Sequence, residues 1–337
     1  MPVQALSLQD ELSSVPALAR PNLDISTFGG GRARFAARAA LAALRHSDLV
    51  INGHVDFAPL VAPSTLPPVG RKVLTISHGI EVWDALPLHK RLALKRSERV
   101  WSVSDYTRSR LISRQGVRDE RIDVIPPPLD REFLRAADRW QENRCPTIPS
   151  RLLTVTRLSK ADRAKGVDEV IRAMPAVRRV VPDATFTVVG DGDGRGELEA
   201  LSTGLGLGRA VQFVGHVPDS QLHAYLAGTD VFVLPSRKEG FGLVFLEAMA
   251  HGKVVIGGAH GGTPEVVPDG EAGILVRYGD PGELAQALIH LLSDEGLRTR
   301  MGRNGAILVR SRFSFDTFAR AVAVRLDTLV GTPWLAP

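Results

Sequence analysis

The chain has 337 residues and a formal net charge of +5; 44% of the residues are hydrophobic and 23% are charged. This composition is typical of a folded protein, and the length suits two domains. No apolar run approaches the about 18 residues of a membrane-spanning helix, and the N-terminal residues lack the basic and apolar regions of a signal peptide. The single cysteine, Cys145, excludes an internal disulfide, so we expect a cytoplasmic protein. No nucleic-acid-binding motif accompanies the basic charge, so we expect that the protein binds no nucleic acid.

The first half of the chain alternates short apolar runs with helical stretches, which is typical of a parallel sheet covered by helices. Strands are predicted at Val3–Leu6, Leu49–Asn52, Val73–Ser77, Val100–Val103 and Asp123–Ile125. Helices are predicted at 31–45 and 106–115. Consecutive prolines at 126–128 break this pattern, and residues 130–149 are predicted to form an irregular bridge.

Residues 88–99 concentrate five Lys and Arg side chains and three leucines within twelve positions. A basic amphipathic helix of this kind can lie on an anionic membrane surface, and the protein would then be peripheral on the inner face of the membrane. An ordinary solvated helix of an α/β domain carries the same pattern, so both interpretations stay open.

The second half begins a new series of strands and helices after the bridge. Strands are predicted at Leu152–Thr156, Phe186–Val189, Val211–Phe213, Val231–Leu234, Val254–Ile256 and Ile274–Val276. Helices are predicted at Val167–Val180, Pro281–Ser293 and Ser314–Leu329. This order predicts two Rossmann-like, doubly wound α/β domains, residues 1–149 and 150–313, followed by a helical segment at 314–337.

The most informative segment is residues 230–267. An apolar strand ends at Pro235-Ser236, a glycine loop spans 239–242, and a helix runs from Leu243 to Gly252. Ligands of open α/β sheets bind at such loops, and the free N–H groups at the start of the helix attract anions. Glu247 lies inside the helix, eight residues after Glu239, where its carboxylate can accept two hydrogen bonds from the diol of a ribose. The segment therefore predicts a nucleotide-sugar site, with phosphates at the helix start and a hexose near Glu239.

The ordered motif residues of this segment resemble the signature of the retaining glycosyltransferases of family 4. They are Pro235-Ser236, Glu239, Gly240, Gly242, Glu247, Gly252, Gly261-Gly262 and Pro264-Glu265. The resemblance implies the GT-B fold, in which two Rossmann-like domains face each other across a cleft and the final helix returns to the first domain. It also implies transfer of a hexose from a nucleotide-diphosphate sugar donor to a glycan, lipid-linked or small-molecule acceptor.

The N-terminus departs from the family pattern. Family members begin with a strand, a glycine loop facing the donor phosphates and a helix, ahead of the strand matched here by Val3–Leu6. We expect the chain to begin after that unit, since Gly29-Gly30-Gly31 comes one strand too late to replace it. We expect either a misplaced start codon or a reduced variant of the fold.

Two cations in the second half are candidates for binding the donor diphosphate. Arg157 ends the first strand of this half, and Lys165 precedes its first helix. A planar guanidinium and a mobile ammonium suit a pyrophosphate, and the family has an Arg and a Lys at matching places, which implies this role. Such cations remove the need for a divalent metal, and the Asp191-Gly192-Asp193 turn is not placed to hold one. We therefore expect neither a metal nor another cofactor.

The resemblance adds further site residues. It implies that His78 faces the sugar across the cleft, where it hydrogen-bonds a hexose hydroxyl or orients the acceptor. It places the backbone around Gly215 and Val217 beside the nucleotide base. The loop and helix start that complete the donor site are Gly240, Phe241, Gly242 and Leu243. Asn52 and His54 follow a neighbouring strand end, and whether they line the acceptor side stays open.

Two other functional classes stay open. A non-catalytic nucleotide-sugar-binding protein would be compatible with the expected lack of the N-terminal unit. An NAD-dependent oxidoreductase could use the same fold, but Arg195 occupies the place of the third glycine after Gly190 and Gly192 in the dinucleotide fingerprint. No residue is an obvious covalent nucleophile, so a transferase would use a front-side displacement, with Glu239, His78, Arg157 and Lys165 as its catalytic residues.

Overall fold

The computed structural model describes residues 3–10, 22–45, 48–142 and 150–331, except for the side chains of Ser150 and Asp162. The strands in these ranges are β1 Val3–Ser7, β2 Leu23–Thr27, β3 Leu49–Asn52, β4 Lys72–Ser77, β5 Arg99–Ser102, β6 Ile122–Val124, β7 Ser150–Val155, β8 Phe186–Val189, β9 Val211–Gly215, β10 Thr229–Leu234, β11 Val254–Gly258 and β12 Gly273–Val276. Cys145 lies outside the described residues.

Helices connect most of these strands. They are α1 Arg32–Leu44, α2 Ala58–Val61, α3 Leu88–Lys95, α4 Asp105–Arg110, α5 Arg131–Glu142, α6 Val167–Val180, α7 Arg195–Gly204, α8 Asp219–Gly228, α9 Leu243–Ala250, α10 Thr263–Val266, α11 Pro281–Ser293, α12 Glu295–Arg312 and α13 Phe315–Val330. The helix predicted at 106–115 continues beyond α4 as a π-helical turn, Leu111–Gln115. No helix among the described residues has the length and apolar character needed to cross a bilayer.

The first sheet is parallel and has the order β3-β4-β5-β6. The predicted strand Val3–Leu6 forms as β1, but it pairs in parallel with β2 in a separate two-stranded sheet. β2 was not predicted, although its residues, LDIST, begin with the apolar and polar alternation of a half-buried strand; the run is only five residues long and none of its side chains is fully buried. The first domain therefore presents the carboxyl ends of β3, β4 and β5 to the cleft.

The second sheet is parallel and has the order β12-β11-β10-β7-β8-β9. The chain starts at β7 in the middle, proceeds outward to β9, and returns to the other side of β7 with β10. This reversal puts the loops after β7 and β10 side by side, which is where doubly wound sheets bind ligands. Leu152, Phe186 and Phe232 are fully buried around these central strands, so the loops stand on a rigid core.

Several helices were not predicted, among them α5 and α12. The irregular bridge expected at 130–149 is wrong over its first part, where α5 packs Phe133 and Ala137 against the second domain. Phe133, Leu134, Ala137 and Trp140 recur at helical spacing in α5, so the helical pattern is present; the consecutive prolines before it and its mainly polar composition led to the interpretation as a bridge. In α12, Gly302 lies against Gly252 and Gly305 lies against Met249, too close for a side chain at either glycine. This packing requires glycine, but glycine lowers the helix propensity of the segment, so α12 was not predicted.

The last helix, α13, packs on the first sheet. Leu326 and Leu329 join Leu74 and Trp101 in one buried cluster, and Lys72 Nζ donates to the Leu329 carbonyl at 2.7 Å. The domain boundaries at 149 and 313 stay predictions.

Candidate active site

The loops of the two domains meet backbone to backbone at the centre of the cleft. A Cβ added to Gly79 would lie 2.7 Å from Gly240 Cα, and one added to Gly240 would lie 2.6 Å from the His78 carbonyl oxygen. Ser104 Oγ donates to the Gly240 carbonyl at 3.1 Å. The contact requires glycine on both sides, and it brings the loops that carry His78 and Glu239 together.

Glu239 and Lys165 form an ion pair. Lys165 Nζ lies 2.7 Å from Glu239 Oε2, and the two side chains are 17% and 13% exposed. The loops that carry them are joined because Ser236 Oγ and Arg237 N both donate to the Ala164 carbonyl. The adjacent loops of β7 and β10 thus place a cation and a carboxylate at one point.

A cationic cavity of about 140 Å³ adjoins this pair. The charged side chains that line it are Arg157, Lys160, Arg163, Lys165, Arg172, Asp168 and Glu197. Glu197 pairs with Lys160 and Arg163, both of which are more than half exposed. The cations outnumber the acids, so the cavity is suited to an anion. Arg157 and Lys165 line this cavity together, and Glu239 contacts Lys165.

The start of α9 points into the same region. Gly242 has a φ of 99°, and a Cβ there would lie 2.6 Å from the Phe245 ring. No side chain among the described residues caps this helix start, so its first N–H groups can receive an anion. Phe241 is buried against Phe313, with ring centroids 5.6 Å apart, and Leu243 is 40% exposed.

Glu247 lies on α9, partly buried behind this loop. Burial, reinforced by the charge of Asp219, raises the pKa of Glu247 to about 7. Asp219 begins α8 two residues after Val217, so Glu247 is on the side of the sheet where the loop after β9 ends. The carbonyl of Gly215, the last residue of β9, accepts from Gly190 N at 2.8 Å. This edge carries the residues predicted for the ribose and base.

His78 is exposed at the end of β4. Its Nε2 lies 2.8 Å from the Gly53 carbonyl, which can only accept, so Nε2 donates. Its ring stacks on the His54 ring, with the centroids 5.8 Å apart. Asn52 is buried and forms a hydrogen bond with Thr75. His78 therefore sits with His54 on the first-domain side of the cleft, outside direct contact with the Lys165–Glu239 pair.

Glu265 is a site residue to which the sequence assigned no role. Its two carboxylate oxygens accept from Asp105 N and Tyr106 N, each at 2.8 Å, so the carboxylate of the second domain caps α4 of the first. Just before it, a Cβ on Gly261 would lie 2.6 Å from the Glu239 carbonyl oxygen. The only signal in the sequence was the position of Glu265 at the end of the motif.

Acidic side chains elsewhere near the cleft serve local structure. Asp193 accepts a hydrogen bond from Lys160 N at 2.8 Å, which lowers the pKa of this carboxyl. Asp191 lies 3.4 Å from the Arg195 guanidinium. Within the described ranges, no group of three or more His, Cys, Asp or Glu side chains is arranged to hold a metal ion.

Comparisons with known protein families cover nearly the whole chain. Residues 138–307 match the family described as "Glycosyl transferases group 1", and residues 6–133 match "Glycosyltransferase Family 4". A similar protein is the GDP-mannose-dependent alpha-(1-6)-phosphatidylinositol monomannoside mannosyltransferase of Mycobacterium tuberculosis, which is 34% identical over 278 residues, 78% of this chain and 71% of that protein. The enzyme of the same name from Mycolicibacterium smegmatis is 35% identical over 73% of this chain and 67% of its own length.

Solved structures share the fold. Anabaena HepE in complex with UDP and glucose superposes with a TM-score of 0.78 at 23% identity, covering 96% of this chain and 92% of that one. Sucrose-phosphate synthase from Thermosynechococcus elongatus superposes with a TM-score of 0.72 at 25% identity, covering 89% of this chain and 78% of that one.

Proposed function

Because this chain belongs to the group 1 and family 4 glycosyltransferases, we propose that it is a retaining hexosyltransferase that needs no metal ion. The observation that carries this proposal is the Lys165–Glu239 pair beside the cationic cavity of Arg157, at the uncapped start of α9. Two relatives are named for GDP-mannose, which makes GDP-mannose the first donor to test.

Each part of the donor has a counterpart in the site. The diphosphate binds Arg157, Lys165 and the first N–H groups of α9, because fixed cations and helix dipoles favour the charge of the leaving group. The hexose hydroxyls bind Glu239, which Lys165 holds in place. The ribose binds Glu247, and the base lies along Gly215 and Val217. His78 contributes a hydrogen bond to the hexose or to the acceptor from the opposite domain.

The reaction is a front-side displacement. The acceptor hydroxyl oxygen forms a bond to the anomeric carbon while the bond from that carbon to the phosphate oxygen breaks. The departing phosphate oxygen takes the acceptor proton, so no protein base is required. Arg157 and Lys165 stabilise the negative charge that grows on this phosphate, which is where such groups lower the barrier most. The new bond forms on the face that the phosphate leaves, and the anomeric configuration is retained.

The acceptor is a glycan, a lipid-linked molecule or a small molecule, and α3 favours a location at an anionic membrane surface. Leu88 and Leu92 of α3 are 61% and 46% exposed. Lys90 is paired with Asp56 at 2.7 Å, so the outward basic charge comes mainly from Lys95 and Arg96, which are exposed. An apolar and basic outer face of this kind binds the inner face of a membrane peripherally.

Calorimetry with GDP-mannose and UDP-glucose, followed by a transfer assay, tests the proposal. Arg157→Ala and Lys165→Ala should lower turnover more than they weaken nucleoside monophosphate binding, whereas the exposed-site control Arg209→Ala should change neither. Glu247→Ala should weaken donor binding roughly tenfold to a hundredfold, the loss expected for charge-assisted hydrogen bonds. Turnover should survive EDTA, and proton NMR of the product should show the donor's anomeric configuration.

Three results would contradict parts of this proposal. Donor binding without turnover would indicate a non-catalytic nucleotide-sugar-binding protein. Loss of turnover on chelation, restored by Mg²⁺ or Mn²⁺, would exclude the metal-free mechanism. An inverted product would exclude front-side displacement.

A further inference from the structure

A second cavity of about 430 Å³ lies between the two domains. The side chains that define its character are Trp83, Tyr106, Arg110, Arg237, Lys238 and His260. The first three come from the loop after β4 and from α4 in the first domain, and the others come from the loops after β10 and β11 in the second. A molecule in this cavity would therefore touch both domains.

The cavity carries an excess of positive charge. Three cations line it together with one acid, Asp84, whose carboxylate is 3.7 Å from Lys238 Nζ and whose side chain is 90% exposed. Among the described residues, neither Arg110 nor Arg237 forms an ion pair with a carboxylate. Aromatic rings hold these guanidinium groups instead: Arg110 lies 5.0 Å from the Tyr106 ring centroid, and Arg237 lies 5.3 Å from that of Tyr278. Both guanidinium groups are thus positioned without being neutralised.

The position of this cavity separates it from the predicted nucleotide site. In the second sheet, β11 and β7 lie on opposite sides of β10. The Arg157 and Lys165 cavity is on the β7 side, and the second cavity is on the β11 side. Glu239 lies between them, because Arg237 and Lys238 directly precede it and Gly261 of the second cavity approaches its carbonyl. A hexose on Glu239 would have the diphosphate on one side and this cavity on the other.

We propose that the second cavity binds a phosphate ester group of the acceptor. This inference rests on the proposed transferase function and adds the chemical class of the acceptor. Guanidinium groups form paired hydrogen bonds with phosphate oxygens, and the ammonium of Lys238 adds a third positive charge. Trp83 and Tyr106 meet edge to face, with ring centroids 4.8 Å apart, and present an aromatic wall to a polyol or sugar ring beside the phosphate. The ester belongs either to a soluble phosphorylated polyol or to a phospholipid headgroup.

Inorganic phosphate is the direct probe. It is titrated by calorimetry into protein already saturated with a nucleoside diphosphate, so that the Arg157 cavity is filled. Arg110→Gln and Arg237→Gln should each weaken phosphate binding about tenfold or more, as loss of a charge-assisted hydrogen bond predicts, without changing nucleotide affinity. Arg209→Gln removes the same charge at an exposed site and should change neither affinity. Since Arg110 also donates to the Tyr106 hydroxyl, the exposed Lys238→Gln serves as a second variant and should weaken phosphate binding several-fold.

A transfer assay distinguishes the sources of the phosphate. Three matched acceptors are compared with one labelled donor: myo-inositol, myo-inositol 1-phosphate, and vesicles containing phosphatidylinositol. The site is supported if the transfer rate with either phosphorylated form is at least about tenfold higher than with inositol, and if Arg110→Gln and Arg237→Gln each lose that preference. Use of the vesicles alone would assign the phosphate to a lipid headgroup, and use of the soluble ester would assign it to a free acceptor.

The outcomes that overturn the inference differ from those that overturn the proposed function. Phosphate affinity that is unchanged in all three cavity variants, or lost equally in Arg209→Gln, would overturn the phosphate site while donor binding stays intact. Equal use of inositol and its phosphate would do the same. Failure of the unmodified chain to bind any nucleotide sugar would overturn the transferase proposal itself.

Discussion

Glu247 is a partly buried carboxyl group on α9 that forms no ion pair among the described residues. Burial and the neighbouring Asp219 raise its pKa from 4.5 to about 7. A carboxylate in this position lacks compensation until a ligand supplies hydrogen-bond donors, and the vicinal hydroxyls of a ribose would supply two. Glu247 is therefore a residue whose charge is unfavourable for the unliganded fold and useful for binding, as is common at functional sites.

This leads to a pH-dependent stability prediction for Glu247→Gln. Because the pKa is higher in the folded state, the protonated group stabilises the fold fully below about pH 4.5, and this contribution is lost as the pH rises through 7. Glutamine has no proton to lose, so the free energy of unfolding of the variant should rise relative to that of the unmodified chain over this pH range. Above pH 7 the relative gain should reach at most about 3 kcal/mol, since one pKa unit corresponds to about 1.4 kcal/mol and the group is partly solvated. Urea unfolding at pH 5 and pH 8 measures it, and an equal difference at both pH values would contradict it.

Among the secondary-structure elements, α4 and its N-cap residue donate hydrogen bonds to two loops of the second domain. Glu265 caps the start of α4 with two hydrogen bonds of 2.8 Å to backbone N–H groups. Ser104 at the N-cap of the same helix donates to Gly240. The glycine turn before Glu265 also contacts the backbone of Glu239. One short helix thus links domain docking to the loop that carries the predicted hexose ligand.

Glu265→Ala should lower the transfer rate more than it weakens nucleotide binding. The substitution removes two charge-assisted hydrogen bonds that hold the closed cleft, each worth about 1.5–3 kcal/mol, so the rate should fall at least about tenfold. The predicted nucleotide ligands lie on the second domain, so calorimetric affinity for a nucleoside diphosphate should change little. The matched control is Glu98→Ala at an exposed position of the first domain, where the rate should stay at the level of the unmodified chain. Equal losses of rate and nucleotide affinity in Glu265→Ala would contradict a role in docking.

The outer face of α3 gives a second prediction for an element. If α3 binds an anionic surface, vesicle flotation should favour anionic over neutral lipid, and salt should weaken binding. Each basic residue near the surface contributes about 1 kcal/mol, so Lys95→Gln with Arg96→Gln should lower the affinity roughly thirtyfold. Replacing Arg209 and Arg303 with Gln removes the same charge elsewhere and serves as the control. Equal flotation with both lipids would identify α3 as an ordinary solvated helix and favour a soluble acceptor.

At the scale of the whole molecule, the elements that could be predicted are those with a complete local pattern. The bounds predicted for β3, β8, α6 and α11 are those observed, because each element has an apolar run or periodicity bounded by turn residues. The α5 helix was missed although its apolar residues recur at helical spacing, because the segment is mainly polar and follows three consecutive prolines. The GT-B fold is confirmed by the solved structures.

The contacts of the site likewise divide into those that could be predicted from the sequence and those that could not. The proximity of Lys165 to Glu239 could be anticipated, since both follow neighbouring strands at the carboxyl edge of one sheet. The contact of Glu265 with α4 and the cavity of Arg110 and Arg237 depend on how the two domains dock. Side chains that meet across domains leave no periodicity or spacing in a single sequence, so these features could not be predicted.

Docking of the two domains is tested most sharply at Gly79. This residue has a φ of 126°, and an added Cβ would lie 2.7 Å from Gly240 Cα. Gly79→Ala should therefore push the domains apart, increase the radius of gyration in small-angle scattering, and lower transfer about a hundredfold, the loss that a misplacement of about 1 Å can cause. Nucleotide binding should change much less, because its predicted ligands remain on one domain.

The matched control is Gly270→Ala. Gly270 also has a positive φ, 74°, but an added Cβ meets no atom within 4 Å. This variant carries the backbone strain of a left-handed alanine, about 1–2 kcal/mol, without an interdomain contact. Both variants should lose thermal stability, Gly79→Ala more because its Cβ also collides with Gly240, while Gly79→Ala alone loses transfer and compactness. If both variants lost the same transfer activity, strain rather than domain separation would explain the effect, and the contact between Gly79 and Gly240 would not control the reaction.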